Sequence, residues 1–300
     1  MTSLSFIKLF EVELTNFCNA KCVFCPRDAL TRPKGYMSFD LFKTIIEKAK
    51  ELNISRMVFS GFGEPFLNKD ILLFIQYLNQ SAPAIELEII TNASLLTPET
   101  VEKLKTGKIE SLVISFNGYD KKSYENTMRN LSYETTIENL KYLAAHGDQL
   151  LNVVKVRPVV TKLFDQPEIM KTHQLLLSLG FTNEHLKEMY LCANRGGYLN
   201  KEDITDDSFL KEKGITTLSQ NDIVCTLFLN TLQIAWNGDI LLCCNDINNT
   251  AKIGNIVNTD FDDIHKKIIA CRTPGAKPEV CLNCNAPFVY NSYKKASELR

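Results

Sequence analysis

Ten cysteines stand in this 300-residue chain, at positions 18, 22, 25, 192, 225, 243, 244, 271, 281 and 284. Cys18, Cys22 and Cys25 form a triad with the spacing Cys-x3-Cys-x2-Cys. Three thiolates on one loop can each hold one iron of a [4Fe–4S] cube and leave the fourth iron open to another ligand. Zinc also accepts cysteines at this spacing, but a structural zinc site wants four protein ligands. No fourth donor is near in sequence, and the first histidine is His146. The spacing favours a cluster, with zinc and packed core cysteines as the competing readings. Cys225, Cys243, Cys281 and Cys284 form a second constellation. Four thiolates make a fully ligated site, either iron–sulfur or zinc.

Composition narrows the setting. The chain carries 34 Lys+Arg against 35 Asp+Glu, a net charge of -1, so no strong field draws nucleic acid or an anionic membrane. Hydrophobic residues make up 45% and charged residues 23%, enough to build a real core. The start, Met1 to Ile7, lacks a cationic segment and runs into Lys8 and Glu11, so no secretory signal is expected. No run of about 18 apolar residues offers a membrane span. The chain therefore reads as cytoplasmic, with no nucleic-acid or membrane partner. Reducing conditions there disfavour disulfides, and clustered cysteines turn to metal binding or redox work.

The elements that must position these cysteines alternate between strand and helix. Apolar runs at Phe6–Leu14, Arg56–Ser60, Leu87–Thr91, Leu112–Phe116, Val153–Val160 and Glu188–Leu191 predict six strands. Between them lie amphipathic helices. One is capped by Ser38 and carries Leu41, Phe42, Ile45, Ile46, Ala49 and Leu52 on one face. The others run through Ile71–Leu78, from Thr97-Pro98, around Ile137, Leu140 and Leu143, and over 167–179 up to Gly180. Six βα units with strands apolar on both faces predict a parallel sheet, open or barrel-like. In either, ligands collect beyond the C-terminal ends of the strands. After residue 200 the texture changes. Lys201–Gln220 is a polar connection, and Leu232–Cys243 is a hairpin about Asn237-Gly238, a type I′ signal. The chain divides at about residue 200, into 1–200 and 201–300.

The segment Cys18-Asn19-Ala20-Lys21-Cys22-Val23-Phe24-Cys25 resembles the CxxxCx(aromatic)C signature of radical S-adenosylmethionine (SAM) enzymes. The resemblance implies that Cys18, Cys22 and Cys25 hold a [4Fe–4S] cluster whose open iron is chelated by SAM. An electron from the cluster then cleaves the sulfonium, and the resulting 5′-deoxyadenosyl radical abstracts a hydrogen atom. It implies a partial (β/α)6 TIM-like barrel as the fold and places Phe24 beside the adenine. Ser60-Gly61-Phe62-Gly63-Glu64-Pro65 resembles the family's GGE-type segment, so Gly63 and Glu64 are expected at the SAM ammonium. Thr91-Asn92 resembles its TN-G segment, with Ala93 in place of the glycine. Ser115-Phe116-Asn117-Gly118 resembles its S-x-D-G segment, with Asn117 in place of Asp. Asn92, Ser115, Asn117 and Arg129, the last expected in a helix, join the cofactor-binding set. Arg157, a charge in an apolar strand, needs a partner: either SAM or a structural ion pair.

The second constellation resembles the SPASM extension of that family, or its shorter twitch form. No cysteine follows Cys284, which favours twitch: a small cysteine-rich α+β domain with one auxiliary [4Fe–4S] cluster on Cys225, Cys243, Cys281 and Cys284. Cys244, next to Cys243 in a strand, is expected on the opposite face, and Cys271 is expected to be unligated. Cys192 follows the sixth strand and could give a hydrogen atom to a substrate radical, although a packed thiol is the simpler reading. Arg195 in the same loop could assist deprotonation of a substrate hydroxyl. Two activities follow. One is oxidation of a sugar- or aminocyclitol-type small molecule, as in the twitch-bearing aminocyclitol dehydrogenases, with the auxiliary cluster as electron acceptor. The other is peptide modification, by epimerisation or crosslinking. With 17 residues before Cys18, a leader-binding domain is not expected there, which favours the small molecule. The family implies flavodoxin or ferredoxin as the electron donor.

Overall fold

A computed structural model of the chain describes residues 4, 6–162, 164–200, 203–205, 223–225, 230–271, 275–285 and 293–295. The N-terminal part begins with β1 (Leu9–Val12), β2 (Lys21–Cys22), α1 (Phe39–Glu51), β3 (Arg56–Phe59), α2 (Ile71–Ser81), β4 (Glu86–Thr91) and α3 (Pro98–Leu104). It continues with β5 (Ser111–Ile114), α4 (Lys121–Thr127), β6 (Met128–Arg129), α5 (Tyr133–His146), β7 (Val154–Val156), β8 (Val159–Val160), α6 (Gln166–Ser178) and β9 (Tyr190–Leu191). The C-terminal part holds β10 (Ile223–Cys225), β11 (Thr231–Ile234), β12 (Asp239–Leu241), β13 (Lys252–Asn255), α7 (Phe261–Ala270), α8 (Glu279–Leu282) and β14 (Tyr293–Lys295).

Strands β1, β3, β4, β5 and β7 pair in parallel in that order, and β8 pairs in parallel with β9. This is the expected six-unit partial barrel, with two departures. The run Val153–Val160 is not one strand. Pro158 has no N–H to give the ladder, and the chain changes partner there. Arg157 N still donates to Ile114 O on the β5 side at 2.8 Å, whereas Pro158 O accepts from Tyr190 N at 2.8 Å. Asn117 fills the resulting gap, as described below.

Helix starts follow the expected caps. The Ser38 side chain accepts from Leu41 N, and Thr97 accepts from Thr100 N with Pro98 at the first helical position. The inner face of α1 buries Phe42, Ile45, Ile46 and Ala49. Phe42 stacks on Phe74 at 4.6 Å and meets Phe59 edge-on at 5.7 Å, which ties two helices to the sheet.

The second departure concerns the hairpin. β11 lies parallel to β1, in register from Leu9↔Thr231 to Val12↔Ile234, so the hairpin extends the barrel sheet to eight strands. An unpaired β1 edge would leave a row of donors and acceptors open; β11 satisfies it. The turn is not type I′. Gly238 has φ +84 but Asn237 keeps a negative φ, and Gly238 N donates to Ala235 O at 2.8 Å. That is a type I turn followed by a left-handed glycine, the bulged form of a short hairpin.

Candidate active site

The site is assembled from loops at the C-terminal ends of β1, β3, β4, β5 and β9. The triad loop leaves β1 at Glu13. Thr15 Oγ1 donates to Gly35 O at 2.7 Å, and Asn16 Nδ2 donates to Pro33 O at 2.9 Å while its Oδ1 accepts from Gly35 N at 2.9 Å. These bonds close the loop on its own far end. Arg32 makes a two-pronged pair with Glu13, Nη1 to Oε1 at 2.8 Å and Nη2 to Oε2 at 2.6 Å, and its Nε donates to Ile247 O at 2.7 Å. The triad loop is thereby tied to β1 and to the C-terminal part at one point. Cys22 lies in β2, which pairs antiparallel with β6 (Cys22↔Met128). Cys18, Cys22 and Cys25 are half-buried, and Phe24 between them is buried.

The next strand end presses against this loop. A Cβ on Gly63 would stand 2.0 Å from Thr15 O and 2.6 Å from Phe17 O, so only glycine lets the two backbones meet. Glu64, directly after it, is 2% exposed. Its Oε1 accepts from Thr91 Oγ1 at 2.7 Å and its Oε2 from Asn92 N at 2.9 Å. Asn92 Nδ2 reaches Asn19 Oδ1 at 3.0 Å, and Asn19 Nδ2 reaches Ser94 Oγ at 2.8 Å. One polar chain therefore links the carboxylate after β3, the loop after β4 and the residue next to Cys18. Ala93 adopts φ +63, so the backbone keeps the left-handed turn although glycine is replaced. Ser115 is half-buried at the end of β5, and its N–H donates to Thr91 O at 2.8 Å.

The second cysteine group meets the loop after β9. Cys192 is fully buried, with Sγ 3.8 Å from Phe24 O and its N–H on Thr205 Oγ1 at 2.7 Å. Arg195 Nη1 donates to Asn245 Oδ1 at 3.2 Å, and the guanidinium lies 5.4 Å from the Tyr190 ring. Asn245 in turn donates its N–H to Cys243 Sγ at 3.4 Å and its Nδ2 to Cys284 Sγ at 3.6 Å. Gly196 and Gly197, at φ +71 and +92, bring this loop against α8: a Cβ on Gly196 would lie 2.5 Å from Val280 Cγ2. Cys281 is in α8 and Cys284 follows it. Cys225 ends β10, and its side chain lies outside the described residues. Cys244 does not take the opposite face. β12 ends at Leu241, the chain turns, and a hydrogen bond to Cys243 followed by burial holds the Cys244 thiol well above its ordinary value.

A family model described as the radical SAM superfamily matches residues 12–190, more than half of the chain. The chain belongs to the radical SAM superfamily. A second, described as an iron–sulfur cluster-binding domain (SPASM), matches residues 225–285. Among characterised radical SAM proteins, the chain is 24% identical over 286 residues to an S-adenosyl-L-methionine-dependent 2-deoxy-scyllo-inosamine dehydrogenase from Niallia circulans, covering 92% of each. It is 32% identical over 121 residues to an AdoMet-dependent heme synthase from Methanosarcina barkeri, but spans 34% of that protein. The fold is shared with BtrN in complex with AdoMet and 2-DOIA, at TM-score 0.59 and 22% identity over 93% of each chain. It is also shared with Streptococcus suis SuiB bound to precursor peptide SuiA, at TM-score 0.66 and 19% identity over 95% of this chain and 71% of the other.

Radical SAM chemistry needs SAM and a [4Fe–4S] cluster, and a SPASM domain adds auxiliary iron–sulfur binding. The donor set fits. Among the described residues no three His, Cys, Asp or Glu side chains converge as they would on one metal ion. The triad thiols are nevertheless close enough for Cys25 and Cys18 both to oppose ionisation of Cys22. Burial pushes Cys18 up to about 11 and raises Cys22 and Cys25; Arg195 and Arg27 pull Cys25 back down. Buried thiols of this kind become thiolates when a cationic centre binds them. In the second group, burial and then the nearby Cys284 push Cys281 up to about 12.

Other expected radical SAM contacts are placed differently. Asn117 is fully buried, and both ends of its amide are taken by Val159: Nδ2 donates to Val159 O at 2.6 Å and Oδ1 accepts from Val159 N at 3.0 Å. It bridges the sheet where Pro158 breaks the ladder. Arg129 is exposed and lies in β6 opposite Lys21, not in a helix. Arg157 pairs with Glu188, Nε to Oε2 at 3.0 Å, which is the structural ion pair of the two expectations. Sequence reading missed Glu11, Glu13, Arg32, Asn19 and Asn245. Glu11 and Glu13 fall on one strand face, opposite Phe10 and Val12, and two charges at alternate positions of an apolar strand were the available signal. Burial raises the Glu11 carboxyl; Ser60 Oγ and Gln233 Nε2 both donate to it. Among the described residues no helix is long and apolar enough to cross a membrane.

Proposed function

We propose that this radical SAM enzyme oxidises a hydroxyl-bearing carbon of a sugar- or aminocyclitol-type small molecule. The observation that carries this reading is the position of Arg195. It is hydrogen-bonded through Asn245 to the sulfurs of Cys243 and Cys284, and its charge also stabilises the thiolate of Cys25. A cation placed between two cysteine groups suits a substrate that loses a proton from oxygen while an electron leaves toward the second group. The similarity to a 2-deoxy-scyllo-inosamine dehydrogenase along 92% of each chain supports the substrate class.

In this reading Cys18, Cys22 and Cys25 hold the first cluster, and Cys225, Cys243, Cys281 and Cys284 hold one auxiliary cluster. Phe24 faces the adenine, the Gly63-Glu64 segment takes the SAM ammonium, and Asn92 and Ser115 line the same strand ends. When bound, SAM with the first cluster supplies hydrogen-atom abstraction, and the auxiliary cluster takes up one electron. Arg195 stabilises the developing alkoxide as the hydroxyl proton leaves, so the carbinol loses two hydrogens and becomes a carbonyl. Flavodoxin or ferredoxin is the proposed reductant.

The test uses anaerobically reconstituted protein with SAM, a reductant, and 2-deoxy-scyllo-inosamine carrying deuterium on the carbinol carbon. Ketone formed together with deuterated 5′-deoxyadenosine, and lost in Cys225→Ala while SAM cleavage persists, is the expected result. A peptide product that gains solvent deuterium, in a reaction abolished by Cys192→Ala, would overturn it in favour of epimerisation. Cys192 is buried against Phe24 O, and its thiol is pushed up to about 11, chiefly by burial. Under the oxidation reading Cys192→Ala keeps turnover.

A further inference from the structure

Asn245 is fully buried between the two parts of the site. Its main-chain N–H points at Cys243 Sγ, its side-chain Nδ2 at Cys284 Sγ and its Oδ1 at the Arg195 guanidinium. The orientation of the amide follows from chemistry. Arginine offers donors alone, so the amide oxygen must face Arg195 and the nitrogen must face the sulfur. Its neighbour Asp246 is also fully buried but is turned away. Asp246 Oδ1 accepts from Thr250 N and Oγ1, both at 2.9 Å, and its Oδ2 accepts from Ala251 N at 2.6 Å. Asp246 thus fixes the turn, and Asn245 is the residue that the turn delivers to the sulfurs.

We propose that Asn245 is a positioning residue of the auxiliary cluster: it donates to two ligand sulfurs, is held by Arg195, and raises the reduction potential of that cluster. The proposal rests on Cys243 and Cys284 being cluster ligands, as read above. Each N–H directs its positive end at a sulfur, so the added negative charge of the reduced state is stabilised. Arg195 at the far end polarises the side-chain amide and strengthens its donation to Cys284 in a dry setting. An electron acceptor tuned upward in this way would draw the electron from a substrate radical.

The test is a redox titration, followed by electron paramagnetic resonance, of the reconstituted full-length enzyme and its Asn245→Asp and Asn245→Leu variants. Asp is nearly isosteric. It keeps an oxygen toward Arg195 but sets a negative acceptor, not a donor, against Cys284. The expected result is an unchanged iron content with the auxiliary potential lowered in Asp by at least tenfold in the oxidised-to-reduced ratio, about 59 mV for one electron. The Leu variant should fall between wild type and Asp, and the first cluster should keep its potential. Wild-type protein with only about four irons, one [4Fe–4S] cluster, would overturn the ligand reading and this proposal together. Two clusters with unchanged potentials in both variants would overturn the tuning role alone. Loss of the auxiliary cluster in the Asp variant would make Asn245 an assembly residue and overturn tuning as well.

Discussion

Asn194 and Asn285 hold each other in a reciprocal pair: Asn194 N donates to Asn285 Oδ1 at 2.7 Å, and Asn285 N donates to Asn194 Oδ1 at 3.1 Å. Asn194 adds a third bond, from Nδ2 to Asn283 O at 2.7 Å. These bonds fasten the loop carrying Cys192 and Arg195 to the segment carrying Cys281 and Cys284, across about ninety residues of sequence. They are therefore a joint that holds the Cys281–Cys284 segment against the Arg195 loop.

Replacing either asparagine should loosen that joint without touching the triad. Asn194→Ala removes two side-chain bonds at the price of about 1–3 kcal/mol. The expected outcome is faster loss of iron to a chelator, down to about four per chain, with reductive SAM cleavage retained. In a double-mutant cycle with Asn285→Ala the two effects should fall short of additivity, because the two bonds span one joint and losing either already loosens the other. Additive losses would show that the pair is not a unit.

The Glu13–Arg32 pair makes a stability prediction. The side chains are 6% and 9% exposed, so neither charge is at ease without the other. Arg32→Met leaves the Glu13 carboxylate buried with Phe62 N as its remaining donor, and should cost about 3–5 kcal/mol in denaturant unfolding. Glu13→Gln combined with Arg32→Met should recover a large part of that loss, since the desolvated charge is then gone. A double variant no more stable than Arg32→Met would place the cost in lost packing instead.

Glu64 gives two pH dependences of opposite sign. Burial raises its carboxyl from 4.5 to about 7. The native protein therefore holds this proton more tightly than the unfolded chain. The associated stability is fully present below about pH 4.5 and is lost as pH rises through about 7, to a total of about 3 kcal/mol. Binding runs the other way. The carboxylate form suits the SAM ammonium, so SAM affinity should climb with pH up to about 7 and then level off. Calorimetry near pH 6 should detect more proton release on SAM binding to wild type than to Glu64→Gln. Equal proton release from both would remove Glu64 from the ammonium site.

How much of this could be read from the chain depends on the range of the interactions. The triad, the capped helices and the alternation of strand and helix rest on local spacing, and they stand in the structure where spacing puts them; the barrel order of the strands is what the family resemblance implies. Gly63 was legible as part of a motif, but its reason was not: it makes room for Thr15 O and Phe17 O, more than 40 residues earlier. Pro158 could have been read as a ladder break, because it lacks an N–H, yet the apolar residues on both sides mask it. Asn245 and the Asn194–Asn285 pair carry no local signal, since each acts on partners that only folding brings near. The hairpin at Asn237-Gly238 was legible in place but not in type. The two-residue signal and the bulged turn both use a left-handed glycine.

Asn117 separates a resemblance in sequence from a role in structure. It stands where the family pattern has Asp, and a cofactor contact is one meaning of that position. Its amide instead acts as a backbone surrogate, giving one donor and one acceptor to Val159 beside the proline break. Asn117→Asp restores the family residue yet removes the donor to Val159 O, and it sets a carboxylate oxygen against that carbonyl in a fully buried position. The expected result is a loss of about 1–3 kcal/mol in unfolding free energy at pH 7, with SAM affinity within about twofold of wild type. The loss should shrink at low pH, because a protonated carboxyl regains a donor for Val159 O. A variant of unchanged stability but with SAM binding weakened tenfold or more would return Asn117 to the cofactor.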